Sequence, residues 1–407
     1  MPLDYNEIAN QLAKNLPSFE KFAKKQEVEF NLLKSAVPGV FSLDFKTLDA
    51  TLAALGGETG ARPTVEYQKG LLVPYPRAFA SLKECVDYAR QVLKDVSFTC
   101  TDGSQIYPSP DFSIPVAVVQ IVHYRNDHCV DRIYEKRSHV EILPPDKLES
   151  MDPSSGRVEF GNEPVNARRA ELELEVLCQQ MIKAGKRSPR PKSAMFMTDG
   201  SLIASFTKEL APSTQKIYIS AIYKAIDVSK TVGYPFLGFV DSSAAKDVVK
   251  MISLVNGKGM PEIKYIPDAA ILEYYFTHVQ GTVLKPGDRT CAFICDRGDA
   301  VYKTFYKATG RLIGFFYIKL SSEHMARVEF PSWCLDQPGL VDQIATVVLA
   351  ECFAGAGYPH SVDQAHHACV IQNEDREKFY RLFQHFAMEN RLVFKIKNKA
   401  RSKRRRY

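Results

Sequence analysis

Apolar residues recur along this chain with two different periods, and the places where one gives way to the other lay out its elements. In ASLKECVDYARQVLKDV they return every three or four positions, which predicts a helix over residues 80–94; residues 5–35 read as helical in the same way. The period then shortens. VSFTCTD alternates apolar and polar residues, SIPVAVVQIVHYRND is a longer apolar run, and the two predict strands joined by the loop GSQIYPSPDF. YEKRSHVEILPP reads as a third strand before the polar segment DKLESMDPSSGRVEFGNEPV. Beyond it Asn166 has the side chain of a helix N-cap, and ARRAELELEVLCQQMIKAG sets Ala170, Leu174, Leu177 and Met181 on one stripe before Gly185 ends the pattern. The remainder reads as the strand SAMFMTD, a helix over 214–229, the strand YPFLGFV, and helices over 243–255 and 267–279. The strands TCAFICDR, LIGFFYIKL and MARVEF follow, then helices over 340–354, 362–370 and 373–388. A run of strands followed by alternating helices and strands predicts an α/β protein, a mixed sheet with helices packed on it.

Composition narrows the class. A chain of 407 residues that is 45% hydrophobic can bury a substantial core. No run approaches the roughly 18 apolar residues of a membrane span. The opening MPLDYNEIANQLAKNLPSFEKFAKKQ is polar and amphipathic without the apolar stretch of a signal peptide, so a cytoplasmic protein is expected. Nine scattered cysteines, mostly within apolar runs, read as reduced core residues. The close pair Cys291 and Cys295 has no second pair to complete a zinc site.

Charge is unevenly placed. The net +6 includes eight basic residues in the tail KIKNKARSKRRRY from Lys395, which leaves the rest slightly acidic. Such a tail is either a solvated end or an electrostatic arm for nucleic acid. KAGKRSPRPKS, with Lys183, Lys186, Arg187, Arg190 and Lys192, is either a solvated connection or a phosphate-contacting loop.

That loop leads into a strand ending in TDGS, and the same four residues occur earlier, placing Asp102 and Asp199 97 positions apart. Asp-Gly is a strong turn signal, so both aspartates are expected at strand ends, the edge where α/β proteins build sites. Carboxylate oxygens are hard ligands for Mg²⁺ or Mn²⁺, and two such ions can stabilise both oxygens of a phosphoryl displacement. The helix between the aspartates offers Glu171, Glu173 and Glu175, of which the first two flank the apolar stripe. An ordinary charged face, with Arg169 four residues before Glu173, is the alternative. In GYPHSVDQAHHACVI, Ser361 and Gln364 fit a capping box, which sets His366 and His367 in a short helix, either as metal ligand or proton shuttle or as structural residues.

Taken in order, the TDGS strand, RRAELELEVL, MTDGSL, GYPFLGFVDSS, PGDRTCAFIC, GFFYIKL, ARVEFP and GYPHSVDQAHHACVI resemble the NurA nuclease domain over roughly residues 96–390. The resemblance implies a ribonuclease-H-like mixed sheet flanked by helices, preceded by an N-terminal helical region (1–95) and followed by a basic tail (391–407). It implies a Mn²⁺-dependent nuclease, Mg²⁺ being possible, that acts on DNA ends in repair as a 5′-to-3′ exonuclease with single-strand endonuclease activity. It also implies a homodimer with a central channel and partnership with a HerA-like hexameric ATPase. Residue by residue it selects Asp102, Asp199, His366, and Glu173 with Glu171 as fallback. Where many members carry a lysine after the FLGFV strand, this chain has Asp241; Lys246 is the nearest replacement, and Asp241 is a further ligand or an N-cap. Lys186, Arg187, Arg190 and Lys192 are the expected DNA contacts. An RNA nuclease on the same fold and a non-catalytic DNA-binding scaffold are the other readings.

Overall fold

A computed structural model describes residues 3–129, 134–151, 158–257, 259–320, 325–393 and 395. Packing gathers the chain into two units, each drawn from two separate stretches: Met1–Ala78 with Val240–Val328, and Phe79–Phe239 with Glu329–Tyr407. Among the described residues no helix is long and apolar enough to cross a membrane.

The first unit opens with a helix over Tyr5–Phe41, started by Asp4, whose carboxylate accepts the Asn6 and Glu7 N–H groups. Only its end is apolar enough to bury: Leu33, Ala36, Val37, Val40 and Phe41 are enclosed, whereas residues 5–25 are exposed. The strand Gly60–Pro63 pairs antiparallel with Phe293–Asp296, which pairs in turn with Ile313–Lys319. Buried charges are compensated within this unit. Arg327 lies 2.8 Å from Asp247, which also holds Arg297, and Asp268 accepts the N–H groups of Asp247 and Val249 at the start of the helix Asp247–Asn256.

The second unit carries the predicted sheet. Its strands are β1 (Val96–Ile106), β2 (Ala117–Asn126), β3 (Tyr134–Leu143), β4 (Ser193–Asp199) and β5 (Phe236–Val240). β1 to β3 form an antiparallel meander, while β4 runs parallel to β1 on one side and to β5 on the other. In chain order the strands therefore lie 3-2-1-4-5, a mixed sheet consistent with the ribonuclease-H-like expectation. Helices α1 (Glu163–Lys186), α2 (Pro212–Val232), α3 (Leu340–Ala354), α4 (His360–Cys369) and α5 (Asn373–Glu389) flank it.

Both faces of the sheet are covered over β2, whereas the edge strand β3 is largely exposed. On β2, Ala117, Val119 and Ile121 pack with Val165 and Val176 of α1, whereas Val118 packs with Tyr380 of α5, and the Gln120 amide donates to the Cys369 carbonyl at the end of α4. Successive strand residues point to opposite faces, so a continuous apolar strand is what two-sided burial requires.

Two helix starts differ from the sequence expectation. α1 begins at Glu163, and Asn166 inside it accepts the Tyr107 hydroxyl at 2.6 Å instead of capping. α4 begins at His360, and the Ser361 N–H donates to the buried Glu351 carboxylate at 2.8 Å. A buried acid has taken the place of the capping box.

Candidate active site

The register of β1 on β4 runs from Val96 opposite Ser193 to Thr101 opposite Thr198, a constant offset of 97. This is the offset between the two TDGS copies, so they lie side by side on neighbouring parallel strands. Asp102 and Asp199 follow the last paired residues, one strand spacing of about 4.8 Å apart.

The copies nevertheless behave differently. The second ends its strand as expected: Gly200 adopts φ +121° and donates its N–H to the Phe239 carbonyl at 2.8 Å. The first does not turn at all. β1 continues to Ile106, and Asp102 pairs in mid-strand with Val122 of β2. Its glycine answers to packing. A Cβ on Gly103 would stand 2.5 Å from Ile121 Cδ1 and 2.6 Å from Glu173 Oε1.

That space admits the third carboxylate. Asp102 points to the face covered by α4, and Gly103 to the face covered by α1, from which Glu173 comes in past the missing side chain. Arg169 holds it there, donating to Glu173 Oε1 at 2.7 Å and to the Gly103 carbonyl at 3.2 Å. Glu173 is only 14% exposed. Burial, opposed by Arg169 and reinforced by Asp102 and Asp199, pushes its carboxyl up to about 7. Glu171 and Glu175 turn away to Arg168, at 2.7 and 3.3 Å, which also holds Glu141. A cavity of about 260 Å³ is bordered by Arg169, Glu173, Thr198, Asp199, Phe206 and Tyr218.

α4 completes the cluster. His366 Nδ1 lies 2.8 Å from Asp102 Oδ2 while the ring stays 62% exposed. His367 turns back on its own helix, with Nδ1 2.9 Å from the Asp363 carbonyl. The helix is anchored at its start by Glu351, which lies 3.2 Å from the His128 ring, and at its end by Ser104 and Gln120 on the Cys369 carbonyl. The Cys369 thiol donates to Asp102 Oδ2 at 3.3 Å. Sequence reasoning missed this residue by placing it with the core cysteines. Its spacing of three from His366, on the same helical face, was the available signal.

The family model of the NurA domain matches residues 96–371. The chain belongs to the NurA family. Membership implies nuclease chemistry of the hydrolase class and dependence on a divalent metal. No curated protein matches the chain. Among solved structures, the crystal structure of Drosophila Piwi is similar over 66% of this chain and 28% of that one. The identity is 11% and the TM-score 0.25, too slight a likeness to carry an argument.

The residue types gathered here suit the divalent metal that NurA membership implies, and among the described residues the group whose ligand atoms lie within 4.8 Å of one another is Asp102, His366 and Cys369. Carboxylates and an imidazole are hard or borderline ligands, and the Glu173 carboxyl is raised first by burial, with Asp102 and Asp199 adding to it.

Of the other residues expected from the NurA resemblance, Asp241 directly follows β5, in which Phe239 pairs with Asp199. Lys246 immediately precedes the helix Asp247–Asn256, and Asp241, six residues before that helix, accepts from the Ser242 hydroxyl instead of capping it. The basic loop enters β4 at Ser193, the end opposite Asp199. Six steps of about 3.3 Å put it roughly 20 Å from that aspartate, so it does not border the carboxylates. Within the loop, Arg187 pairs with Asp127 at 3.2 Å, and Arg190 bonds the Tyr234 hydroxyl at 2.9 Å and the Val232 carbonyl. Lys186 and Lys192 are exposed. In the basic tail Lys397, Lys399, Arg401 and Lys403–Arg406 lie outside the described residues.

Proposed function

We propose that the protein is a Mn²⁺-dependent deoxyribonuclease whose catalytic centre is Asp102, Glu173, Asp199 and His366. The reading rests on one observation, the in-register pairing that sets two aspartates side by side at the point where Glu173 comes past Gly103. Asp102, Asp199 and Glu173 would hold the cations, with Arg169 orienting Glu173. A divalent cation held there would supply the Lewis acidity that polarises a phosphate and activates a water. His366, exposed yet fixed to Asp102, is suited to ligate manganese or to hand a proton to the leaving oxygen.

The finer reading follows the family resemblance: 5′-to-3′ exonuclease action with single-strand endonuclease activity on DNA ends, a homodimer, a HerA-like ATPase partner, and a cytoplasmic location. Lys246 would serve in place of the family lysine. Lys186, Lys192 and the basic tail would add affinity for phosphates without reading sequence.

An end-labelled oligonucleotide digest with Mn²⁺, Mg²⁺ or EDTA, run on matched DNA and RNA, tests the proposal. Mn²⁺-dependent shortening of DNA is the expected result. Preference for RNA would change the substrate, and no cleavage with any metal would leave a binding scaffold.

A further inference from the structure

We propose that Asp102, His366 and Cys369 form a softer cation site, selective for Zn²⁺, which shares Asp102 and His366 with the proposed catalytic centre and so regulates it. Ligand atoms of these three residues, one oxygen, one nitrogen and one sulfur, lie within 4.8 Å of one another. Zn²⁺ takes such mixed donors tetrahedrally at about 2.0–2.3 Å, which brings them to roughly 3.3–3.8 Å apart and leaves a fourth position for water. His366 Nδ1 and Cys369 Sγ already stand 2.8 and 3.3 Å from Asp102 Oδ2, so seating the ion asks the imidazole to draw back by about 0.5 Å. His366 leaves the site open to solvent on one side.

The sulfur decides the selectivity. Mg²⁺ and Mn²⁺ favour oxygen donors and gain little from a thiol, whereas Zn²⁺ and Cd²⁺ bind sulfur strongly. Cys369 and His366 sit three apart on one face of α4, and α4 is tied at both ends, so the pair meets Asp102 as a preset arrangement. On binding, the thiol proton passes to water as the sulfur–zinc bond forms. Asp102 and His366 then serve the zinc instead of the catalytic centre with Asp199 and Glu173, and Zn²⁺ inhibits. This regulatory consequence rests on the nuclease reading above; the site itself does not.

Cd²⁺ is the probe, because thiolate coordination produces a charge-transfer absorbance in the ultraviolet. The full-length reduced protein is titrated with Cd²⁺ and then with competing Zn²⁺, alongside Cys369→Ser, Cys369→Ala and His366→Ala, each first checked for folding by circular dichroism. The other eight cysteines are common to all, so the difference spectrum reports Cys369 alone. Wild type should show one equivalent of absorbance that both Cys369 variants lack. His366→Ala should keep the thiolate band at weaker affinity, by at least about tenfold, the loss already typical of residues that only support a ligand.

Identical titrations for wild type and both Cys369 variants would overturn the site. Mn²⁺-dependent cleavage, measured in the same preparations, keeps the two readings apart. A band without cleavage removes the nuclease reading and leaves the site; cleavage without a band does the reverse. Cleavage in wild type that Zn²⁺ fails to inhibit, with the band present, overturns the regulatory part.

Discussion

His366 Nδ1 and Asp102 Oδ2 stand 2.8 Å apart although 264 residues separate them in the chain. If the ring serves the reaction, His366→Ala should slow cleavage of saturating DNA by about 10²–10⁴-fold with little change in binding. His367→Ala should be mild, since that ring is turned to the Asp363 carbonyl. Single-turnover rates and binding isotherms measured together check this. Equal losses in both would make His366 structural.

The carboxylates should rank by what they face. Asp102→Asn and Asp199→Asn remove charge with little change of shape, so cleavage should fall by roughly two orders of magnitude or more while the folded state persists. Glu173→Gln should follow them. Glu171→Gln should cost little, because its partner is Arg168. The reverse order in Mn²⁺-dependent rates would move the ligand one half-turn along α1.

Gly103 should tolerate no side chain. In Gly103→Ala the added carbon meets Ile121 Cδ1 at 2.5 Å and Glu173 Oε1 at 2.6 Å, overpacking that costs on the order of 1–3 kcal/mol and displaces the carboxylate. Gly200→Ala meets nothing within 4 Å but must hold φ +121°, so its cost is backbone strain. Urea melts combined with cleavage assays should show Gly103→Ala losing activity beyond what its stability loss explains.

Stability should fall as pH rises past neutrality. Burial disfavours a charged His128 ring, but the Glu351 carboxylate, with the Val96 carbonyl and Asp127, outweighs it and holds the pKa above 6.5. A group raised on folding contributes fully below its unfolded pKa, and the contribution disappears as pH climbs through the folded one. Denaturation midpoints from pH 6 to 9 should therefore decline in wild type and flatten in His128→Gln. Parallel declines in both would rule the pair out as the cause.

Much of this architecture could be read before the coordinates, for reasons that vary from residue to residue. Periodicity located the strands and helices because the inner strands of the sheet are buried. The TDGS echo marked both aspartates because that signal is local, whereas the residues alone left Glu171, Glu173 and Glu175 open and only the family resemblance selected Glu173. What stayed hidden was set by distant neighbours. Asp102 lies mid-strand because β2 continues alongside it, Ser361 is claimed by Glu351, and the basic loop is separated from Asp199 by the length of β4. Cys369 looks like a core residue until β1 is placed beside it.

The constant offset between β1 and β4 has a consequence for how this chain can change. The side-by-side placement of Asp102 and Asp199 is a matter of alignment between two strands, not of the number of residues joining them, so the intervening segment can lengthen or shorten while the alignment holds. A single residue inserted within Ser193–Thr198 is different. It would carry Asp199 about 3.3 Å along the sheet and turn it to the opposite face, removing the site from a protein that still folds.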